Sequence, residues 1–179
     1  MIHQMHGMTL FEGPAMIPTL PQYLDAHAEA VQGIVANLDA TGDIAPMFYF
    51  VDKSGGQHVL LPTYQNKDAD VMAFKAIMAQ KDAVMYALVT SAWMLVFDAK
   101  DPAKTQAQMD TFEREGTGGA FRDQRIEIAQ ITVGDHTQSL TRTWRMRRSD
   151  SGVTLIQETD LDGMLSQGRM VDLLAKPKH

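Results

Sequence analysis

The chain predicts an α+β fold, a mostly antiparallel sheet flanked by about three helices in the order α-β-β-α-β-(insert)-β-β-β-α. Three observations carry this expectation. Apolar residues recur at helical spacing in a few long stretches only. Turn chemistry cuts the rest into short β-branched and aromatic runs. Those runs arrive as hairpins instead of alternating one by one with helices, which argues against a parallel sheet.

Residues 1–18 read as an irregular arm, with Gly7, Gly13, Pro14 and Pro18. Leu20, Tyr23, Leu24, Ala28, Val31, Ile34, Val35 and Leu38 then recur at helical spacing, with Thr19 as N-cap, Pro21 in the first turn and Gly42 as a stop. This predicts a helix over about 20–40. Two apolar runs, 47–51 and 58–61, flank Asp52-Lys53-Ser54-Gly55-Gly56 and predict a hairpin. Asn66 caps a second helix to about Lys81, with Val71, Phe74, Ile77 and Met78 inward. Residues 83–97 are apolar on both phases, which suits a central strand covered on both sides. A buried helix is the competing reading, because periodicity does not separate the two.

Residues 99–123 predict a short helix from Asp101-Pro102, with Met109 and Phe112 inward, and then a mobile loop at Gly116-Thr117-Gly118-Gly119. A meander follows. Ile126 and Ile128 lie in one phase and Ile131 and Val133 in the other, which predicts a bulge near Ala129-Gln130. Asp135-His136-Thr137 turns into the strand 140–148, and Ser149-Asp150-Ser151-Gly152 turns into 153–158. Asp160 caps a final helix to about Ala175, weakened by Gly163 and Gly168. Residues 19–176 thus make one domain, with 99–123 inserted. The element order is similar to that of roadblock or profilin-like domains, small sheet-and-helix modules often found as dimers. That resemblance implies a homodimer formed through a sheet edge or the face of the first helix.

Bulk composition narrows the function. A chain of 179 residues can bury a core without staples. It has no cysteine, which excludes disulfides and thiolate chemistry. The net charge of −6 argues against general affinity for nucleic acid or anionic lipid. No basic n-region with a long apolar run opens the chain, and the fifteen residues of 83–97 fall short of the ~20 needed for a spanning helix. These features predict a soluble, cytoplasmic protein.

Charge is unevenly placed. Residues 1–113 hold 6 Lys against 13 Asp and Glu, a balance of −7, whereas 114–179 hold 10 basic and 9 acidic residues, a balance of +1. No arginine precedes Arg114, yet four surround Trp144 in Leu140-Thr141-Arg142-Thr143-Trp144-Arg145-Met146-Arg147-Arg148. Matching apolar pairs sets Ile128 opposite Trp144, Ile126 opposite Met146 and Met146 opposite Leu155. In that register Arg125, Arg145 and Arg147 share a face with Glu127 and Glu158. A solvated face laced with cross-strand ion pairs is one consequence. A grip on a carboxylate-bearing partner or a small anion is another. Nucleic acid is disfavoured, because phosphate binding needs a larger unneutralised patch. Trp144 packs in the core on this reading, since base stacking would need it exposed.

Other chemistry is sparse. Met1-Ile2-His3 offers an amine, two amides and an imidazole that could wrap Cu(II) or Ni(II), so His3 is the lone metal candidate, with chance as the ordinary explanation. His27, His58 and His136 stand apart without zinc spacing. Neither glycine cluster matches a phosphate loop, and no G-x-S-x-G elbow occurs. Asp135-His136 is the one adjacent acid–histidine pair, and in a turn Asp135 is expected to bond backbone amides. No motif implies a catalytic residue or a cofactor. The expectation is a non-catalytic interaction or accessory module that self-associates and binds an acidic protein partner. Its binding residues would be Arg125, Trp144, Arg145 and Arg147, with the 99–123 segment alongside. The alternative is a binding domain or enzyme for a small anion, in which 99–123 closes as a lid, Arg145 and Arg147 hold the anion and His136 acts as acid or base.

Overall fold

A computed structural model describes residues 17–63, 66–94, 102–115, 119 and 122–157. The expected final helix at 160–175 lies outside these residues, as do nearly all of the 1–18 arm, His3 and Glu158.

Thr19 starts α1 (Leu20–Val35) with a full capping box: its hydroxyl accepts from the Gln22 amide, and the Gln22 side chain accepts from the Thr19 amide. The helix ends before the expected residue 40. Asn37 donates back to the Gly33 carbonyl at 2.8 Å, and Asp39 accepts from the amide and hydroxyl of Thr41, so local side-chain bonds replace another helical turn. The hairpin β1 (Met47–Asp52) and β2 (Gln57–Leu60) stands where the turn residues put it. Asn66 caps α2 (Lys67–Gln80), accepting from the amides of Asp68 and Ala69. Val71, Phe74 and Met78 are buried beneath it.

Residues 83–94 form a strand, β3 (Ala83–Met94), and so decide between the two readings of that apolar run. An α-helix, α3 (Pro102–Glu115), precedes a meander of β4 (Ile126–Asp135), β5 (Ser139–Ser149) and β6 (Gly152–Gln157). The described strands form one six-stranded antiparallel sheet in the order β2-β1-β3-β4-β5-β6. The class is α+β, as expected.

Helices α1 and α2 pack on opposite faces of the sheet. Helix α1 lies against β3 through β6 and closes a core with Ala87, Val89, Ala129, Ile131, Val133, Trp144 and Met146. Helix α2 covers the hairpin side of the opposite face, where Phe74 stacks on Phe48 and Tyr86 joins the cluster. Strand β3 is therefore covered on both sides, which accounts for its apolar run.

The meander departs from the expected register by one residue. Ile128 faces Arg145 and Ala129 faces Trp144, with Gly134 and Ser139 as the last pair before a four-residue loop. No bulge interrupts β4 at Ala129-Gln130, since its pairing with β3 runs unbroken from Ile126 to Asp135. The change of apolar phase has another cause. Ala129, Ile131 and Val133 pack toward α1, while Ile128 and Thr132 are buried on the other face, so β4 needs apolar residues in both phases. The expected pairing of Met146 with Leu155 is present.

Candidate functional site

A one-residue change of register moves every side chain of a strand to the other face. Leu140, Arg142, Trp144, Met146 and Arg148 therefore point toward α1, and Thr141, Thr143, Arg145 and Arg147 point away. The four arginines divide into two pairs with different work.

The first pair fastens the fold. Arg142 holds Asp25 of α1 at 2.9 Å. Arg148 forks onto Glu127, with Nε donating to Oε2 at 2.8 Å and Nη2 donating to Oε1. Its Nη1 donates to the carbonyls of Ala40 at 3.0 Å and Gly42 at 2.6 Å. The bonds to Glu127 hold the Arg148 guanidinium above its ordinary pKa, against the opposing effect of partial burial. Ser91 of β3 adds a second fastening, donating to Asp43 at 2.6 Å. The loop from α1 to β1 is thus bound to two strands, β5 through Arg148 and β3 through Ser91, with Glu127 of β4 bracing Arg148.

This overturns the expected partnership of Glu127. It does not share a face with Arg145 and Arg147. It belongs to Arg148, a residue the charge pattern alone did not separate from its neighbours.

The second pair is more open. Arg147 is exposed beside Thr154, and Arg145 is half-buried between Ile128 and Ile156. No salt bridge from Arg147 occurs among the described residues. Trp144 is 3% exposed and packs in the α1 core, as expected of a structural tryptophan.

Arg125 stands apart from both pairs. Its guanidinium lies over the ring of Trp93, 4.1 Å from the centroid, and Trp93 is 46% exposed. Trp93 pairs with Glu127 across β3 and β4, on the α1 face but beyond the fastened loop. Stacking fixes the plane of a guanidinium while leaving its N–H edge able to donate. The nearby carboxylate, Glu127, is already held by Arg148. Continuing the β4–β5 register sets Arg147 beside Ile126 and Arg148 beside Arg125. Trp93 and Arg125 accordingly gather on the α1 face at one end of the sheet, and Arg147 lies at that end on the opposite face. Trp93 escaped the sequence reading because its nearness to Arg125 depends on the β3–β4 register.

His136 lies at the other end. It sits in the β4–β5 loop, and the ten residues from Ile126 to Asp135 span about 30 Å at strand spacing. It shares no site with Arg145 or Arg147, which removes the geometry that the small-anion alternative required. Asp135 does what a turn aspartate was expected to do, accepting from the Thr137 amide at 2.6 Å, its hydroxyl at 2.7 Å and the Gln138 amide at 2.9 Å. Burial pushes its carboxyl up, but these bonds outweigh burial and hold it below the ordinary value.

Asp52 and His58 form a second acid–histidine contact, 2.7 Å apart, in the first hairpin. Asp52 also accepts from Ser54, through both its amide and hydroxyl, and from the Gly56 amide. The serine bonds the aspartate and not the histidine, so the group braces a turn and lacks the relay order of a nucleophile triad. Burial again raises the Asp52 carboxyl and the hydrogen bonds from His58, Ser54 and Gly56 more than reverse it. Among the described residues no three histidine, aspartate or glutamate side chains converge as a metal site. No described helix is long and apolar enough to cross a membrane.

No protein-family model, curated protein or solved structure matches the chain.

Proposed function

We propose that this protein is a non-catalytic interaction module that grips an acidic segment of a partner protein at the Trp93–Arg125 end of its sheet. The observation that carries this reading is the Arg125 guanidinium, 4.1 Å over an exposed tryptophan and beside a glutamate that another arginine already occupies. A large aromatic with an arginine is the combination that dominates interface energetics, and a prepositioned fork favours carboxylates. The reading includes a homodimeric, cytoplasmic protein, and sedimentation equilibrium tests the dimer.

Relative to the expectation from sequence, the surface moves. Arg125 stays in it, Trp93 enters it, Trp144 leaves it for the core, and Arg145 and Arg147 leave it for the opposite face. The test is affinity capture from lysate of the source organism with the wild-type protein and with a Trp93→Ala, Arg125→Ala double variant. A stoichiometric protein partner lost from the variant supports the reading. A charge-assisted contact is worth roughly 1.5–3 kcal/mol, so loss of Arg125 should lower affinity at least tenfold. A partner retained in full by the double variant overturns the site. A small anion that co-purifies without any protein would overturn the partner class.

A further inference from the structure

His27 sits in the middle of α1, facing the core, and is 1% exposed. Its Nδ1 lies 2.8 Å from the carbonyl of Tyr23. A carbonyl only accepts, so Nδ1 carries the proton and Nε2 is a bare lone pair. That Nε2 is buried and has no hydrogen-bond partner among the described residues. The edges of two aromatic rings enclose the imidazole, Tyr23 at 4.4 Å and Tyr49 of β1 at 4.8 Å between centroids.

The surroundings offer a second proton no reception. The titratable groups that face the imidazole are Tyr23 on its own helix and Tyr49 on β1. Burial pushes both phenols up, so they stay neutral, and the Tyr49 hydroxyl already donates to the Met47 sulfur. From β3, β4, β5 and β6 the residues of the core cluster under α1 are apolar: Met85, Ala87 and Val89, then Ala129, Ile131 and Val133, then Trp144 and Met146, then Val153 and Leu155. The charges at the rim of this face are committed elsewhere, Asp25 to Arg142 and Glu127 to Arg148. A protonated His27 would therefore place a charge and an unmet N–H donor inside the core, a costly arrangement unless water reaches it. Among the described residues Nε2 is shut off from water while α1 is seated, and separation of α1 from the sheet would open it.

We propose that His27 is a proton-operated latch: α1 stays seated while the imidazole is neutral and is released from the sheet when the ring takes up a second proton. Burial, only partly opposed by the bond to Tyr23, holds the imidazole below its ordinary value. The folded state therefore refuses a proton that the unfolded or open chain accepts at about pH 6.5. Stability is complete above that value and falls as pH drops below it, with the unfolding constant rising by up to tenfold per pH unit for one proton.

Two measurements on the full chain decide the matter. The first is urea unfolding of the wild type and His27→Gln between pH 7.5 and 4.5. Glutamine can keep the bond to Tyr23 and has no second proton to take. The wild type should lose stability more steeply than the variant below pH 6.5, and equal slopes would overturn the latch. The second, on the wild type alone, follows the His27 ring protons and the amide protection of residues 20–35 and 67–80 by NMR. Protection lost first in 20–35 supports release of α1. An imidazole that titrates near 6.5 with α1 protection unchanged, or loss of protection in both helices together, would overturn it. Should His27→Gln fail to fold, the second measurement decides alone.

Discussion

Replacing Gly134 with alanine puts the packing between β3 and β4 under direct strain. Gly134 lies directly opposite Tyr86, and a Cβ built on it would fall 2.6 Å from Tyr86 Cε1 and 2.7 Å from both Cζ and the hydroxyl. Ordinary carbon contacts begin at about 3.5 Å, so the ring must retreat by nearly 1 Å. It has little room, being 1% exposed and stacked on Phe48, which in turn stacks on Phe74. Overpacking of a closed core costs about 1–3 kcal/mol. The lower entropy of the unfolded alanine chain returns about 0.4–1 kcal/mol. A net loss of about 1–2 kcal/mol should lower Tm by roughly 2–8 °C for a chain of this size. Thermal and urea unfolding of Gly134→Ala read this directly. In a Tyr86→Leu background, which is itself destabilised, the added methyl has no ring to meet and its penalty should disappear. A Gly134→Ala protein as stable as wild type, or a penalty that survives removal of the ring, would refute the reasoning.

Arg148→Ala should cost about 1–3 kcal/mol, because it strands a mostly buried Glu127 and two loop carbonyls, whereas Arg147→Ala should shift stability by under about 0.5 kcal/mol. Urea unfolding of the two variants side by side checks the contrast, and equal costs would mean that the arginines are not divided as described. Acid should weaken the fold through Asp52. Its folded pKa is depressed, so the folded state holds fewer protons than the unfolded chain. That contribution is full above about pH 4 and fades as pH falls further. Asp52→Asn should accordingly be less stable at pH 7 and show a shallower decline below pH 4 in the same assay.

Most of the architecture was legible because local chemistry determined it. Thr19 with Gln22, Asn66 ahead of α2 and the Asp52–Gly56 turn each act within a few residues, and the structure uses each as its chemistry suggests. The site was far less legible. Its geometry rests on strand register, and the pattern of β4 was ambiguous. Two buried faces and one bulged face produce the same shift of apolar phase between Ile128 and Ile131, and only the pairing with β3 tells them apart. That one-residue difference moved Glu127 from Arg145 to Arg148. The encounter of Arg125 with Trp93 joins residues 32 positions apart (125 − 93) and leaves no local mark. His27 was visible only as an isolated histidine, because its enclosure by Tyr23 and Tyr49 needs α1 set against β1.

The seating of α1 on the far strands also bears on synthesis. The helix ends at Val35, yet much of the surface that buries it lies on β4, β5 and β6, which finish at Gln157. A ribosome adding about 5–20 residues per second needs roughly 6–24 s to make the intervening 122 residues (157 − 35). For that interval the apolar stripe of Leu20, Leu24, Ala28 and Val31 lacks much of its seat, while the first hairpin can close within microseconds. Helix α1 is thus made first and housed last, and the nascent chain should be a client for chaperones that shield amphipathic helices until the meander is complete.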